Sequence, residues 1–293
     1  MVAPMTTYLV GLDGSEHARH ALAWARTVAT EHERVVVLHA SDVPVVTGLE
    51  IAANVDPAES DAVSREFVAG TLGELDDPRL DGRVMSGPPG ESLVAAAGQL
   101  GPDVVIVVGH GGSGKVSLLL GSTAHHVIHH TDHPVVVVRG ELRVPVRRVS
   151  VGIDEPGGHD ELDPHSLAAL RWALRLPGVE HVEVAHADFV PGVAAGPVRE
   201  PGLESDDATA VDDAQIRRAI DAATDGTGTA PSGAAIVPVV AGGTGAFALI
   251  EASREVDLVV VGTRGRSGFV ELIVGSTTLE VIAHAHCPVA VIR

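Results

Sequence analysis

The sequence predicts two doubly wound parallel α/β domains in tandem, and three observations lead there. The chain is written twice, each copy alternates strand-like with helix-like segments, and its apolar residues are the small and β-branched ones. Hydrophobic residues make up 45% of the 293 but aromatics only 2%, so the cores must be built from Val, Ala and Leu. That composition suits buried parallel strands under Ala-rich helices.

The duplication is legible segment by segment. "ALAWA" at 21–25 recurs as "ALRWA" at 169–173, "VVVLHA" at 35–40 as "VEVAHA" at 182–187, and "DVVIVV" at 103–108 as "DLVVVG" at 257–262. "LLLGST" at 118–123 recurs as "LIVGST" at 272–277, and "HPVVVVR" at 133–139 as "CPVAVIR" at 287–293. From Asp103 to Arg139 the offset is a constant 154, pairing Asp103 with Asp257 and Arg139 with Arg293.

Taken in order, "TYLVGLD" reads as the first strand. Residues 16–29 carry apolar side chains at 18, 21, 22, 25 and 29, a helical stripe. "VVVLHA" is a strand, 58–75 a helix, "GRVMSG" a strand, 91–99 a helix, "DVVIVVG" a strand, 117–130 a helix and "PVVVVR" the closing strand. The second copy repeats this order at 147–153, 166–175, 181–187, 211–223, 234–240, 245–255, 257–262, 271–284 and 288–293. Five strands alternating with four helices imply a parallel sheet with right-handed crossovers. The expected domains are 1–140 and 141–293, divided near "GELRVPVRR", and the Pro-, Gly- and acid-rich stretch 190–213 reads as a long surface loop.

Composition narrows the function classes. No apolar run approaches the roughly 20 residues that cross a bilayer, and the start has no basic region leading into an apolar one, so neither membrane nor export signal is expected. One cysteine, Cys287, cannot form an intrachain disulfide, which fits a reducing cytoplasm. The formal charge is −19 and Lys115 is the sole lysine. A field of that sign repels nucleic acid, but it still permits a nucleotide gripped by backbone N–H groups.

The stretch "DVVIVVGHGGSGKVS" (103–117) comes within one residue of a P-loop: Gly109, Gly114 and Lys115 fit, but Val116 replaces the Mg²⁺-binding hydroxyl. The second copy rejects that reading, because Lys115 matches Phe269. What both copies keep is Gly111/Gly265, nine residues, Gly121/Gly275, then Ser122/Ser276. A glycine turn leaving a parallel strand lets amides approach an anion, and hydroxyls and N–H groups at a helix start hold phosphate. The candidate turn residues are Gly109, Gly111, Gly112, Ser113 and Gly114, with Gly262, Arg264, Gly265, Arg266 and Gly268 in the second copy. The candidate helix starts are Gly121–Ser122–Thr123 and Gly275–Ser276–Thr277. Ligands of open α/β sheets sit at the carboxyl ends of strands where the winding reverses. The first strand of each copy delivers Asp13 or Asp154 there, as a hydrogen-bond acceptor for a ribose or an adenine edge. Plainer readings stand beside these: glycines as ordinary turn residues, and the aspartates as helix N-caps.

These motifs together resemble the universal stress protein family in its tandem form: "VGLDGS", "ALAWA", "LHA", the glycine loop, "LLLGS" and "HPVVVVR". The second copy matches the family's ATP signature, Gly262, two residues, Gly265, nine residues, Gly275, Ser276. The resemblance implies a five-stranded Rossmann-like sheet of the adenine nucleotide alpha hydrolase kind. It implies ATP with Mg²⁺ between the first and fourth strands, with Ala40 and Ala187 at the ends of the second strands among the contacts. It also implies pairing through the last strands, within the chain or in a homodimer.

Two departures stand out. Val108 occupies the place of the first signature glycine, with Gly109 one step late, so either the turn shifts or the first copy binds more weakly. In the second copy "DEPGGHDELDPHS" replaces "DGS" and brings Asp154, Glu155, Asp160, Glu161 and Asp163. Acid beside a triphosphate costs affinity unless Mg²⁺, Arg264 or Arg266 screens it. Both sites are therefore expected to bind, unequally.

The string "HHVIHHTDH" offers His pairs at i, i+4 for zinc, but it lacks a partner glutamate and the copy keeps only His130, as His284. It reads as a solvated helix end, and no metal site is expected. His39 and His186 read as satisfied polar groups near the carboxyl edge of the sheet, and Trp24 and Trp172 as packing anchors. No nucleophile elbow and no carboxylate pair with opposed environments appear. The expected function is a regulatory ATP-binding module in stress response, without a catalytic residue. The alternatives are a slow ATP hydrolase or adenylyl-transfer relative, and a nucleotide-free module that binds a protein partner the sequence does not identify.

Overall fold

The computed structural model describes residues 6–41, 57–109, 120–154, 162–188, 207–263 and 274–293. Chain contacts divide it into two compact units, Met1–Val135 and Val136–Arg293. In chain order the first repeat runs β1 (Thr7–Gly11), α1 (Glu16–Val28), β2 (Arg34–Ser41), α2 (Pro57–Leu75), β3 (Leu80–Ser86), α3 (Pro89–Leu100), β4 (Val104–Val108), α4 (Ser122–His130) and β5 (Val135–Val138). The second runs β6 (Arg148–Gly152), α5 (Pro164–Arg175), β7 (His181–Asp188), α6 (Asp207–Ala223), β8 (Ala235–Gly242), α7 (Gly245–Ala252), β9 (Leu258–Gly262), α8 (Ser276–His284) and β10 (Val289–Ile292).

Within the first unit the strands lie in the order β3-β2-β1-β4, and within the second β10-β9-β6-β7-β8. Every described pairing is parallel. The chain winds outward from β1 through β2 to β3, then returns to place β4 on the other side of β1, and β6 to β9 repeat the manoeuvre. The reversal parts the helices at the carboxyl ends of β1/β4 and β6/β9, which is where a crevice opens.

The cores have the predicted chemistry. Leu9, Val10, Val36, Val105 and Ile106 are sealed in the first unit, and Val149, Val151, Val259 and Val260 in the second. Helix α1 lays Ala18, Ala21, Leu22, Trp24 and Ala25 on the sheet, with Ser15 capping it by accepting from the Ala18 N–H at 3.1 Å. Helix α5 buries Ala169, Leu170, Ala173 and Leu174. Trp24 is the anchor expected of it, whereas Trp172 is only half-buried. Pro238 sits within β8, which pairs with β7 alone, an edge position that tolerates a missing N–H.

An aspartate sets the register in both copies. Asp103 Oδ2 accepts from the Thr7 N–H at 2.8 Å, and Asp257 Oδ2 from the Arg147 and Arg148 N–H groups at 2.8 and 2.9 Å. Each ties the head of the fourth strand to the head of the first. The Val105 N–H reaches the Pro134 carbonyl at 2.8 Å and the Val259 N–H the Pro288 carbonyl at 3.0 Å, so the approach to the last strand is also duplicated.

Four expected boundaries move. The helices expected over 117–130 and 271–284 begin at Ser122 and Ser276, because Gly121 and Gly275 take the extended N-cap conformation (ψ 149° and 151°). The loop expected over 190–213 gives way to α6 from Asp207; residues 189–206 lie outside those described. The Ser253 N–H donates to the Leu249 carbonyl, and α7 ends at Ala252 rather than at 255. Among the described residues no helix is long and apolar enough to cross a membrane.

Candidate functional site

A crevice of about 260 Å³ opens at the carboxyl ends of β1 and β4. Its floor is Gly11, Leu12, Leu38 and Val107, and its walls include Asp13, Ala40, Pro89, Leu93, Val108, Gly121, Ser122 and Thr123. A second, of about 250 Å³, opens at β6 and β9. Its floor is Gly152, Ile153 and Val261, and its walls include Asp154, Ala187, Thr244, Leu249, Gly262, Thr277 and Thr278.

Much of the predicted set therefore converges. Asp13, Ala40, Gly121, Ser122 and Thr123 meet in the first crevice, and Asp154, Ala187, Gly262 and Thr277 in the second. Gly109 closes the base of the loop, its carbonyl accepting the Gly121 N–H at 2.7 Å. Gly275 and Ser276 form the head of α8, and the Gly275 N–H donates to the Thr263 carbonyl at 2.8 Å. Gly111, Gly112, Ser113, Gly114, Arg264, Gly265, Arg266 and Gly268 lie outside the described residues, as do Glu155, Asp160 and Glu161.

The loop closures decide between the two readings of Val108. Gly121–Gly109 and Gly275–Thr263 are the same bond at the constant offset, so the base of the loop keeps its register and Val108 stands in the place of Gly262. The second copy cannot do the reverse. A Cβ on Gly262 would lie 2.9 Å from the His165 carbonyl carbon, since the head of α5 presses against the end of β9. The signature glycine is thus demanded by packing in this copy, whatever else approaches it.

The N-cap reading of the two aspartates is corrected. Ser15 caps α1 and Asp163 caps α5, accepting from the Ser166 N–H at 2.7 Å. Asp13 instead accepts from the Ser15 N–H through Oδ1 at 2.9 Å, an Asx turn that aims an exposed carboxylate at the crevice edge. The Asp154 N–H donates to Ser166 Oγ at 3.0 Å, which ties that residue to the head of α5. Insertion of "DEPGGHDELDPHS" therefore moved the cap without moving the crevice aspartate.

Helices α4 and α8 start at glycine N-caps with no side-chain cap, and both heads stand at crevice walls. Leading N–H groups of such a helix, together with its dipole, favour an anion. Sequence reasoning missed the opposite wall: Pro89 and Leu93 from α3, and Gly243 and Thr244 from the turn before α7 with Gly245 and Leu249 from the helix itself. Their local sequences, "GPPGES" and "GGTGAF", read only as a turn and helix start; folding alone sets them across from β1 and β6.

The histidine string forms two ring pairs along α4, His125–His129 with centroids 4.3 Å apart and His126–His130 stacked at 4.1 Å. Among the described residues no group of three or more His, Cys, Asp or Glu is arranged to hold a metal. Burial pushes the Cys287 thiol up to about 12, far from a reactive thiolate.

The fold and its two crevices define a duplicated, doubly wound parallel α/β protein with an open cleft in each copy. The universal stress protein family model matches residues 5–139 and again 145–293, and the chain belongs to that family. It is similar to a universal stress protein of Mycolicibacterium smegmatis, at 27% identity over all of this chain and 99% of the other. It is also similar to one of Mycobacterium tuberculosis H37Rv, at 30% identity over 97% of this chain and 95% of the other. Among solved structures, a universal stress protein of Archaeoglobus fulgidus shares the fold with a TM-score of 0.65, at 19% identity and 98% coverage of both chains.

Proposed function

We propose that this universal stress protein is a regulatory ATP-binding module, with a nucleotide site in each half and little or no turnover. The observation that carries the reading is the matched pairing of an uncapped helix head with a crevice aspartate. Gly121–Ser122–Thr123 faces Asp13 across one cleft, and the head of α8, with Thr277, faces Asp154 across the other. In this reading the nucleoside occupies the described crevice. Asp13 or Asp154 accepts from the ribose or the adenine edge, beside Ala40 or Ala187. The polyphosphate, with Mg²⁺, runs toward the amides and hydroxyls at the helix head and on to the glycine loop, where Arg264 and Arg266 offset the acidic segment of the second copy.

The absence of a catalytic role belongs to the same proposal. The lone thiol is buried and held protonated. A reducing cytoplasm fits the single buried cysteine, and pairing through the apolar last strands, within the chain or in a homodimer, belongs to the same proposal. Titration calorimetry with Mg-ATP tests the whole reading. Two sites per chain of unequal affinity are expected, and Gly265→Glu with Gly275→Glu should abolish one of them while the other stays. Unchanged heat in that double variant rejects the site assignment, and rapid ADP formation rejects the regulatory role in favour of a hydrolase.

A further inference from the structure

We infer that His39 and His186 are positioning residues. In each half an imidazole Nδ1–H holds the carbonyl that precedes the crevice aspartate, and so fixes where that carboxylate meets its ligand; the inference rests on the nucleotide reading above. His39 Nδ1 lies 2.7 Å from the Leu12 carbonyl oxygen, and His186 Nδ1 lies 3.3 Å from that of Ile153. A carbonyl only accepts, so Nδ1 must carry the hydrogen, and the bond selects the tautomer.

The same two residues are held a second time. The Leu12 N–H donates to the Leu38 carbonyl at 2.8 Å, and the Ile153 N–H to that of Ala185 at 2.9 Å. The ladder of β1 with β4 ends at Val10–Ile106, and that of β6 with β9 at Val151–Val260. Beyond those points the chain is held from the side of the second strand, once by backbone and once by imidazole. A peptide unit is planar, so fixing the Leu12 carbonyl sets the direction in which the chain enters Asp13. The Asx bond from the Ser15 N–H then turns the carboxylate. The His39 ring is itself steadied edge-on by Phe67 of α2, with centroids 5.1 Å apart. Both copies build this device with different neighbours, "GLDGS" in one and "GIDEP" in the other.

A structural role alone would be to satisfy a carbonyl on a buried residue, since Leu12 and Ile153 are 3% and 9% exposed. The experiment separates the two. Ring ¹⁵N NMR of the full chain at pH 8, with assignments from His39→Asn and His186→Asn, should show both imidazoles as the Nδ1–H tautomer; the Nε2–H form overturns the inference. Calorimetry with Mg-ATP follows on the full chain carrying Gly275→Glu, so that the first site is read alone. His39→Leu should weaken binding about tenfold or more, the loss of one well-made hydrogen bond's worth of order. His39→Asn keeps an N–H near the Nδ1 position and should restore affinity to within about threefold of the parent. Equal affinity of His39→Leu and the parent, or equal weakening by Leu and Asn, overturns the positioning role and leaves the nucleotide reading standing. A parent that takes up no ATP overturns both.

Discussion

The two crevices share a backbone and differ in their walls. In the first, Val108 and Pro89 present apolar surface, and α3 begins at Pro88–Pro89, which lack N–H groups. In the second, Gly262 stands in the place of Val108, and the far wall is Gly243, Thr244 and Gly245 in place of the prolines. The buried Thr278 hydroxyl also donates to the Gly262 carbonyl at 2.8 Å, a bond that Ala124 cannot make in the first copy. Duplication has kept strand order, loop closure, crevice aspartate and imidazole, and has let the residues of the crevice walls drift.

Exchanging residues between copies tests how far they are interchangeable. Gly262→Val imports Val108 into the second copy. Its side chain meets the backbone at His165, and overpacking of this kind costs about 1–3 kcal/mol. Denaturation followed through Trp172 in a Trp24→Phe background should show the loss. Full tolerance would mean that the head of α5 can withdraw, and that the two copies are sterically alike.

The largest effect is expected for the register aspartates. Asp257→Ala removes an acceptor from two backbone N–H groups, and Asp103→Ala from one. With about 1.5–3 kcal/mol per bond to a charged group, the second substitution should cost roughly half as much as the first. Equal losses in urea denaturation would show that one of the Asp257 bonds contributes nothing.

A smaller change is predicted for Thr278→Ala, which makes the second copy like the first at Ala124. It leaves the Gly262 carbonyl short of a donor and should cost about 1 kcal/mol. An unchanged denaturation midpoint would deny that this bond distinguishes the copies.

The smallest effect is a pH dependence confined to the second unit. Burial, helped by Arg254 and Arg139, holds His286 below its ordinary value of 6.5; the first copy has Asp132 at this place. A depressed folded-state value means that the native protein favours neutral imidazole. The contribution is therefore present above pH 6.5 and lost as pH falls through that value and below. Between pH 7.5 and 5.5 the melting temperature read at Trp172 should fall more in the parent than in His286→Asn. Parallel slopes would remove His286 from the comparison.

The alternation of strand and helix is readable in the sequence because period and composition are local: Val-rich runs of four to six residues and the Ala stripe of α1 leave few alternatives. The repeat offset does more. It pairs Gly121 with Gly275, shows that Lys115 has no counterpart, and so dismisses the P-loop without any geometry. Asp13 and Asp154 are legible as crevice residues, but which residue caps each helix is not, since Ser15, Asp163 and their neighbours are all competent caps. The helices beginning at Ser122 and Ser276 read several residues too long, because a glycine N-cap gives little warning in an apolar stretch such as "LLLGST". The α3 and α7 walls lie beyond reach, because a turn's sequence does not say what it will face.

Sequence alone determined the doubling, the winding and the shared elements of each cleft, since these follow from periodicity, from turn chemistry and from comparing a chain with its own copy. Tertiary structure decided which copy needs a glycine at the end of its fourth strand, which carbonyl each strand-end imidazole holds, and which helix closes the far wall. Those are contacts between segments far apart in the chain, and close packing fixes them to within a fraction of an ångström, a precision that no local pattern encodes.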